Sequence, residues 1–191
     1  MRNILTLGFA AMLAVSISGL ALAAGGGGGT STTSPASLKC KKGEVVANLK
    51  KDGKTVKKNG KVVKVCVKAE SGVLPDAELY EQGRALAKQG HYDWALEVLA
   101  AIENQNDPHV LNYIGYSNRK AGRVEIGITY YRKALAIDPN FVLAREYLGE
   151  GYVAAGRIDL AQIELNEIKN RVGVDSEEYK DLSKAIATAA N

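Results

Sequence analysis

The sequence has little of what most metal and catalytic sites are built from. Its 191 residues include two cysteines, two histidines and one tryptophan, so a four-ligand zinc site of Cys and His is not expected. The G-x-S-x-G motif, which presents the serine of many hydrolases, does not occur. With 46% apolar and 24% charged residues, the composition is nevertheless that of a folded protein. We predict that the protein has no metal site.

Two glycine-containing segments imitate nucleotide-binding motifs but fail in their context. Residues 149–154 (GEGYVA) fit a loose dinucleotide fingerprint, yet they lie inside a helical pattern with no strand before it. Gly53-Lys54-Thr55 looks like the end of a phosphate loop, but Asn48 occupies the position of the required glycine. We therefore predict no cofactor and no enzymatic activity.

Charge is distributed unevenly along the chain. Residues 39–68 contain eleven lysines against Glu44 and Asp52, a net charge of +9, and they contain no arginine and no aromatic residue. Residues 69–191 contain thirteen basic and nineteen acidic residues, a net charge of −6. The chain is thus a basic piece followed by an acidic piece, and each requires its own interpretation.

The first 23 residues have the pattern of a secretory signal peptide. Arg2 precedes an apolar stretch from residue 4 to 22, and Ala21-Leu22-Ala23 places small residues at the −3 and −1 positions of a cleavage site. The alternative is a retained membrane anchor, because the apolar stretch is nearly long enough to span a bilayer. Residues 24–38, rich in Gly, Ser and Thr, are predicted to form a flexible linker. We expect a periplasmic or secreted protein that is cleaved after Ala23.

The basic piece, residues 39–68, is predicted to be a small β module closed by a disulfide. Export favours pairing Cys40 with Cys66, because disulfides persist in oxidising compartments. Asn59-Gly60 is a strong type I′ hairpin signal, and three β-prone runs lie at residues 44–49, 54–58 and 61–67. About thirty residues cannot bury an adequate core, so a disulfide worth on the order of 3 kcal/mol is expected to hold the module folded.

The lysines of this module have two interpretations. Lysine protects exposed strand edges and keeps a protein soluble, whereas clustered lysines also attract anionic polymers or membrane headgroups. Nucleic acid is not a predicted partner, since the module lacks aromatic residues for stacking and arginine for bidentate contacts. The candidate residues for an anionic surface are Lys50, Lys51, Lys57, Lys58, Lys61 and Lys64.

From residue 76 onward the chain is built of repeats. One series of glycines and a second series seven residues later both step by 32 and then by 34 residues. The first series comprises Gly83, Gly115 and Gly149, and the second comprises Gly90, Gly122 and Gly156. Each second glycine is followed after two positions by a large residue, and after three more by a small one. Such a period is typical of stacked helical hairpins.

These repeats resemble the tetratricopeptide repeat (TPR) family. Residues 130–140 (YYRKALAIDPN) and 90–96 (GHYDWAL) are close to its 34-residue consensus. Leu79 stands where the consensus most often has tryptophan, and Gly173 replaces the boundary proline of the third unit. The resemblance covers residues 76–173 and implies three helix-turn-helix units, at 76–107, 108–141 and 142–173, with a capping helix within 174–191.

The predicted fold is an all-α, right-handed solenoid preceded by the disulfide-stapled β module. Helix pairs are expected at residues 76–89 with 92–103, 108–121 with 124–137, and 142–155 with 158–170. The first glycine of each unit falls inside a helix, where it costs about 1 kcal/mol relative to alanine, and a close helix crossing is the expected compensation. Tyrosines at helical spacings are interpreted as packing between units, namely Tyr113, Tyr130, Tyr131, Tyr147 and Tyr152.

In the TPR family, the first helix of each unit lines a concave groove that commonly binds an extended peptide or a partner helix. By register, the resemblance assigns to this groove Tyr80, Arg84, Lys88, Asn112, Tyr116, Arg119, Glu146 and Glu150. The groove would be basic and aromatic at one end and acidic at the other. The family's arrangement of Lys and Asn that binds a C-terminal carboxylate is not found at matching positions. The alternative is that these residues form ordinary helical surface.

Together these observations predict a non-enzymatic, exported scaffold that binds a protein or peptide in its groove. The alternative function is envelope attachment, in which the lysine-rich module binds an anionic cell-wall polymer or membrane surface. The two functions can coexist, with the module as an anchor and the repeats as a receptor.

Overall fold

The structure, a computed structural model, describes residues 34–189. The predicted signal peptide, its cleavage site and most of the predicted linker lie outside these residues. The strands are β1 (Glu44–Asn48), β2 (Lys50–Lys51), β3 (Lys54–Thr55), β4 (Lys57–Lys58), β5 (Lys61–Val62) and β6 (Lys64–Lys68). The helices are α1 (Asp76–Lys88), α2 (Tyr92–Ala100), α3 (Pro108–Lys120), α4 (Val124–Ile137), α5 (Val142–Ala154), α6 (Ile158–Val172) and α7 (Glu177–Ala189).

The β module is a three-way junction of hairpins. Strand β1 pairs antiparallel with β6, β2 with β3, and β4 with β5. Three backbone hydrogen bonds close the junction. The N–H of Leu49 donates to the oxygen of Val63 at 2.8 Å, and the N–H of Val56 donates to the oxygen of Leu49 at 2.8 Å. The N–H of Val63 donates to the oxygen of Val56 at 3.0 Å. The run predicted as one strand at residues 54–58 is interrupted at Val56, because this residue belongs to the junction.

A seven-residue duplication underlies the two outer hairpins. Residues 49–55 (LKKDGKT) and 56–62 (VKKNGKV) each supply a junction residue, an outgoing strand, a turn and a returning strand. In the turn Asn59-Gly60 φ is 52° and 75°, and Asp52-Gly53 has nearly the same values, as a type I′ turn requires. The predicted hairpin turn is confirmed. We call the two outer hairpins, residues 50–55 and 57–62, the lysine arms.

The base of the β module packs on the first helix pair. Val45 and Val46 point to opposite faces of β1, yet both are buried, at 0% and 5% exposure. The side-chain oxygen of Gln82 in α1 accepts from the N–H of Val46 at 2.7 Å, and its Nε2 donates to the oxygen of Val46 at 2.9 Å. The indole N–H of Trp94 in α2 donates to the backbone oxygen of Glu44 at 2.9 Å. The module therefore covers the first end of the helical array.

The segment before β1 is also held against the array. The predicted disulfide between Cys40 and Cys66 is present, with Cα atoms 5.5 Å apart. Residues 34–38, the end of the predicted linker, form a turn in which the oxygen of Ser34 accepts from two backbone N–H groups. Pro35 is fully buried, and the Ser34 hydroxyl donates to the side chain of Gln89, the residue that follows α1, at 3.1 Å. Ser34 and Pro35 are therefore packed against the array, whereas Ser37 and Leu38 are exposed.

The six repeat helices form three hairpins whose bounds differ from the predicted ones by no more than three residues. The predicted close crossings are present in the first two units. A Cβ atom added to Gly115 of α3 would lie 2.7 Å from the ring of Tyr131 in α4 and 3.1 Å from the oxygen of Gly127. One added to Gly83 of α1 would lie 2.8 Å from Leu99 in α2. In these two units, glycine leaves the space that close contact between the two helices needs.

The capping helix α7 packs against α5 and α6, as the first helix of a further unit would. Its fully buried Leu182 lies directly against Gly149 of α5. The glycine of the third unit therefore makes room for the capping helix, and α7 extends the row formed by α1, α3 and α5. Among the helices within residues 34–189, none combines the length and hydropathy of a membrane span.

Candidate functional site

Three tyrosines form the floor of a cavity on the face shared by the first helices of the units. Tyr113 and Tyr116 lie one turn apart on α3 with ring centroids 5.8 Å apart, and the ring of Tyr147 in α5 lies 5.2 Å from that of Tyr116. Tyr113 and Tyr147 are only 2% and 5% exposed, so their rings pack between units as predicted. Their hydroxyl groups, however, are bonded to the charged side chains that line the cavity.

One wall of this cavity is cationic. Arg84 and Lys88 lie one turn apart on α1, and Lys120 lies at the end of α3. The Arg84 Nε donates to the Tyr113 hydroxyl at 3.0 Å. The Lys88 Nζ donates to the Tyr147 hydroxyl at 2.7 Å and lies 4.8 Å from the ring centroid of Tyr116, a cation–π contact. Partial burial, and then the nearby Arg84, lower the pKa of Lys88.

The opposite wall is acidic. It is formed by Glu146 and Glu150 of α5 and by Glu177, Glu178 and Asp181 of α7. Glu146 is 6% exposed, and burial raises its pKa to about 8, with Glu150, Asp181 and Glu178 acting in the same direction and Lys88 opposing them. This carboxyl group therefore holds its proton far more readily than an exposed glutamate does.

Arg119 has a structural role that the sequence did not indicate. Its side chain is 8% exposed, and its guanidinium forms an ion pair with Glu150 of α5. The same guanidinium donates to the hydroxyl of Tyr131 in α4 at 3.2 Å. Arg119 thus joins three helices, α3, α4 and α5, and its charge is already paired within the fold.

The cavity brings together five of the eight residues assigned to the groove by register. It encloses about 360 Å³, within the range of ordinary ligand pockets. The five predicted residues that line it are Arg84, Lys88, Tyr116, Glu146 and Glu150. Tyr80, Asn112 and Arg119 do not line it. Asn112 is fully buried, and Tyr80 packs its ring edge against His109 and Tyr113.

The register missed the contribution of α7. Glu177, Glu178 and Asp181 had been expected only as part of a cap, and Tyr113 and Tyr147 only as packing. The spacing of these acids places them on one helical face, and the buried Leu182 beside them orients α7 against Gly149. A signal was therefore present in the amphipathic pattern of α7, but the location of its acidic face depends on how α7 packs.

The six lysines assigned to an anionic surface are all exposed. Five of them lie on the two lysine arms, and Lys64 begins β6 after the junction. The duplicated sequence gives each arm a Lys-Lys pair before its turn and one lysine after it. The arms therefore present two equivalent clusters of positive charge.

The helical array has the fold of solved TPR domains. The first TPR domain of Spaghetti (RPAP3), bound to the HSP90 peptide SRMEEVD, gives a TM-score of 0.54 at 16% identity over 64% of this chain and 98% of that chain. The first TPR domain of the human RPAP3 protein gives 0.52 at 17% identity, over 61% and 95%. MamA AMB-1 gives 0.49 at 24% identity, over 60% and 64%. No protein-family model and no curated protein matches the chain. The predicted TPR architecture is thus confirmed at the level of the fold.

Proposed function

We propose that this protein is a non-enzymatic, exported scaffold that binds an extended segment of a partner protein in its TPR groove. The observation that carries this proposal is the cavity of about 360 Å³, with its tyrosine floor and its two walls of opposite charge. Tyrosine and arginine are enriched among the residues that dominate binding energy at protein interfaces. The peptide bound to the TPR domain of Spaghetti supports a peptide-like ligand for a groove of this fold.

Site-specific photo-crosslinking in the native cells tests this function. A photoreactive phenylalanine analogue replaces Tyr116 in the cavity floor and, as the matched control, Ile163 on the outer helix α6, which is 55% exposed. We expect a discrete crosslinked product from position 116 and none from position 163. Equal products at both positions, or none at position 116, would contradict groove binding.

Export is supported by the disulfide, because such bonds persist in oxidising compartments. Cell fractionation followed by N-terminal sequencing tests it. We expect the mature protein outside the cytoplasm, with a new N-terminus at Ala24. An uncleaved chain in the membrane fraction would favour the retained anchor instead.

A second function, attachment to an anionic surface, is supported by the duplication of the lysine arms. All residues of both arms are exposed. The second arm therefore repeats the three lysines of the first and adds no buried residue. Attraction between such arms and an anionic surface is electrostatic and is therefore screened by salt.

Co-sedimentation with phosphatidylglycerol vesicles tests surface attachment. The test variant carries Lys50→Gln, Lys57→Gln and Lys61→Gln, and the control carries Lys133→Gln, Lys169→Gln and Lys184→Gln, with the same change in net charge. We expect the first to lose binding and the control to retain it, with wild-type binding abolished at high salt. Equal loss in both variants would indicate a nonspecific effect of net charge.

A further inference from the structure

The acidic wall of the groove cavity contains a shielded carboxyl group that no donor or cation of the described chain contacts. Glu146 is 94% buried, yet among residues 34–189 no donor or cation lies within hydrogen-bond or ion-pair distance of its side chain. Other shielded charges of the array are paired, as Arg119 is with Glu150 and Arg145 is with Glu164 at 2.9 Å. An ionised carboxylate would be strongly unfavourable there without a partner, and this cost is what raises the pKa of Glu146 to about 8.

The nearest cation of the cavity is held away from Glu146 by other contacts. The Lys88 Nζ is bonded to the Tyr147 hydroxyl at 2.7 Å and lies over the rings of Tyr116 and Tyr147, at 4.8 and 5.3 Å. It acts on Glu146 only through space. The aromatic floor thus keeps the cationic and acidic walls apart, and it leaves room between them for a ligand.

The acids of α7 extend this wall toward solvent. Glu178 and Asp181 line the same cavity, and both act electrostatically on Glu146. They do not converge as metal ligands, because the only group of three ligand atoms within 4.8 Å of one another in the described chain is Cys40, Glu44 and Cys66. The three carboxyl groups run from the exposed Asp181 to the buried Glu146 and do not meet at one point. This arrangement suits a long, flexible side chain with a cationic end better than it suits a metal ion.

We propose that three residues of the acidic wall, Glu146, Glu178 and Asp181, bind a lysine or arginine side chain of the partner segment. The proposal rests on the groove-binding function and names the chemistry of its ligand. The cationic group passes Asp181 and Glu178 of α7 and pairs with Glu146 at the bottom of the wall. The rest of the segment lies over the tyrosine floor toward Arg84 and Lys88. Charge complementarity of this kind determines the orientation and register of a bound peptide.

A peptide-display experiment tests the proposal with the purified full chain. A random peptide library is selected on the immobilised protein, and groove binders are identified as peptides that lose binding to Tyr116→Ala. We expect these peptides to share a Lys or Arg. Replacing that residue by norleucine or citrulline should weaken binding by about tenfold or more.

A double-mutant cycle connects the peptide charge to Glu146. Glu146→Gln should weaken the same peptides by about tenfold, and the norleucine or citrulline substitution should then have little further effect. The matched control is Asp159→Asn, which removes one exposed acid from α6 and should leave affinity unchanged. Thermal unfolding of each variant checks that the fold is retained.

The outcomes separate this inference from the function on which it rests. Groove binders without a basic residue, or binders whose affinity is unaffected by Glu146→Gln, would overturn the cation-binding wall and leave groove binding intact. The absence of any peptide sensitive to Tyr116→Ala would overturn both. Loss of affinity in Asp159→Asn equal to that in Glu146→Gln would show that net charge alone is responsible, which also overturns the proposal.

Discussion

The β module and the helical array are held together in different ways. The array buries large side chains from every unit, including Leu86, Tyr131 and Ile168, and from the capping helix it buries Leu182. The two lysine arms bury nothing, since every residue of 50–55 and 57–62 is exposed. Their shape comes from local turn geometry and from the three hydrogen bonds of the junction. The comparison shows that short hairpins can be presented in water without a core of their own.

The base of the β module has no separate core and packs its apolar side chains against the array. Val45 and Val46 join the same apolar cluster as Leu79, Leu86 and Trp94 of the first unit. Gln82 replaces the strand that would otherwise pair with the free edge of β1. The module is thus an N-terminal cap of the solenoid as well as a carrier of charged arms.

Removing the disulfide should produce the largest effect on this arrangement. The variant Cys40→Ala with Cys66→Ala should lose about 3 kcal/mol of unfolding free energy, because the bond closes a segment with a sequence separation of 26. Urea unfolding followed by the fluorescence of Trp94, which contacts the module, measures the loss. Reduced wild-type protein serves as the control and should match the variant. An unchanged midpoint would mean that docking on α1 alone holds the module.

Removing the hydrogen bonds between Gln82 and β1 should have the next largest effect. Gln82→Ala leaves the buried N–H and oxygen of Val46 without partners and should cost about 2 kcal/mol. The control Gln162→Ala, at an exposed position of α6, should cost less than about 0.5 kcal/mol. Hydrogen exchange at the Val46 amide should accelerate only in the first variant. Equal losses in both would show that the bonds of Gln82 do not support β1.

Within the array, Glu146 should make stability depend on pH. Its pKa is raised from 4.5 to about 8, so between these values the folded protein keeps a proton that the unfolded chain has lost. Stability therefore falls as the pH rises through this window. Glu146→Gln removes this loss and should be the more stable protein above about pH 8, by on the order of 1 kcal/mol after solvent screening. Below about pH 4.5 the two proteins should converge. An equal pH profile for both would contradict the buried, unpaired state of Glu146.

The lysine arms should contribute least to stability. The variant with Lys50→Gln, Lys57→Gln and Lys61→Gln should change the unfolding free energy by no more than about 0.5 kcal/mol, because all three side chains are exposed. Thermal unfolding measures this directly. A large change in either direction would show that the arms are coupled to the base of the module and would weaken the contrast between the two regions.

Local signals in the sequence were sufficient for the helices and the turns. The glycine series predicted the helical hairpins, and Asn59-Gly60 predicted its turn, since both reflect backbone geometry within a few residues. The seven-residue duplication of the lysine arms is equally visible in the sequence, but it does not show that Leu49, Val56 and Val63 meet at one junction. The position of a residue in the repeat could not show that Tyr116 lines the cavity whereas Arg119, three residues later, is buried. Their burial depends on side chains from other helices.

By itself the sequence determined the repeat period and the turn types, because these depend on residues close together in the chain. It also determined the single disulfide pairing and the opposite charges of the two regions, because these follow from the numbers of cysteines and of charged residues. Only the tertiary structure decided that Gln82 completes the edge of β1, that α7 supplies three of the five acids of the acidic wall, and that Glu146 is left without a partner. These features join residues from separate elements. Their positions depend on how the elements pack against one another, and the sequence pattern of a single element does not show that packing.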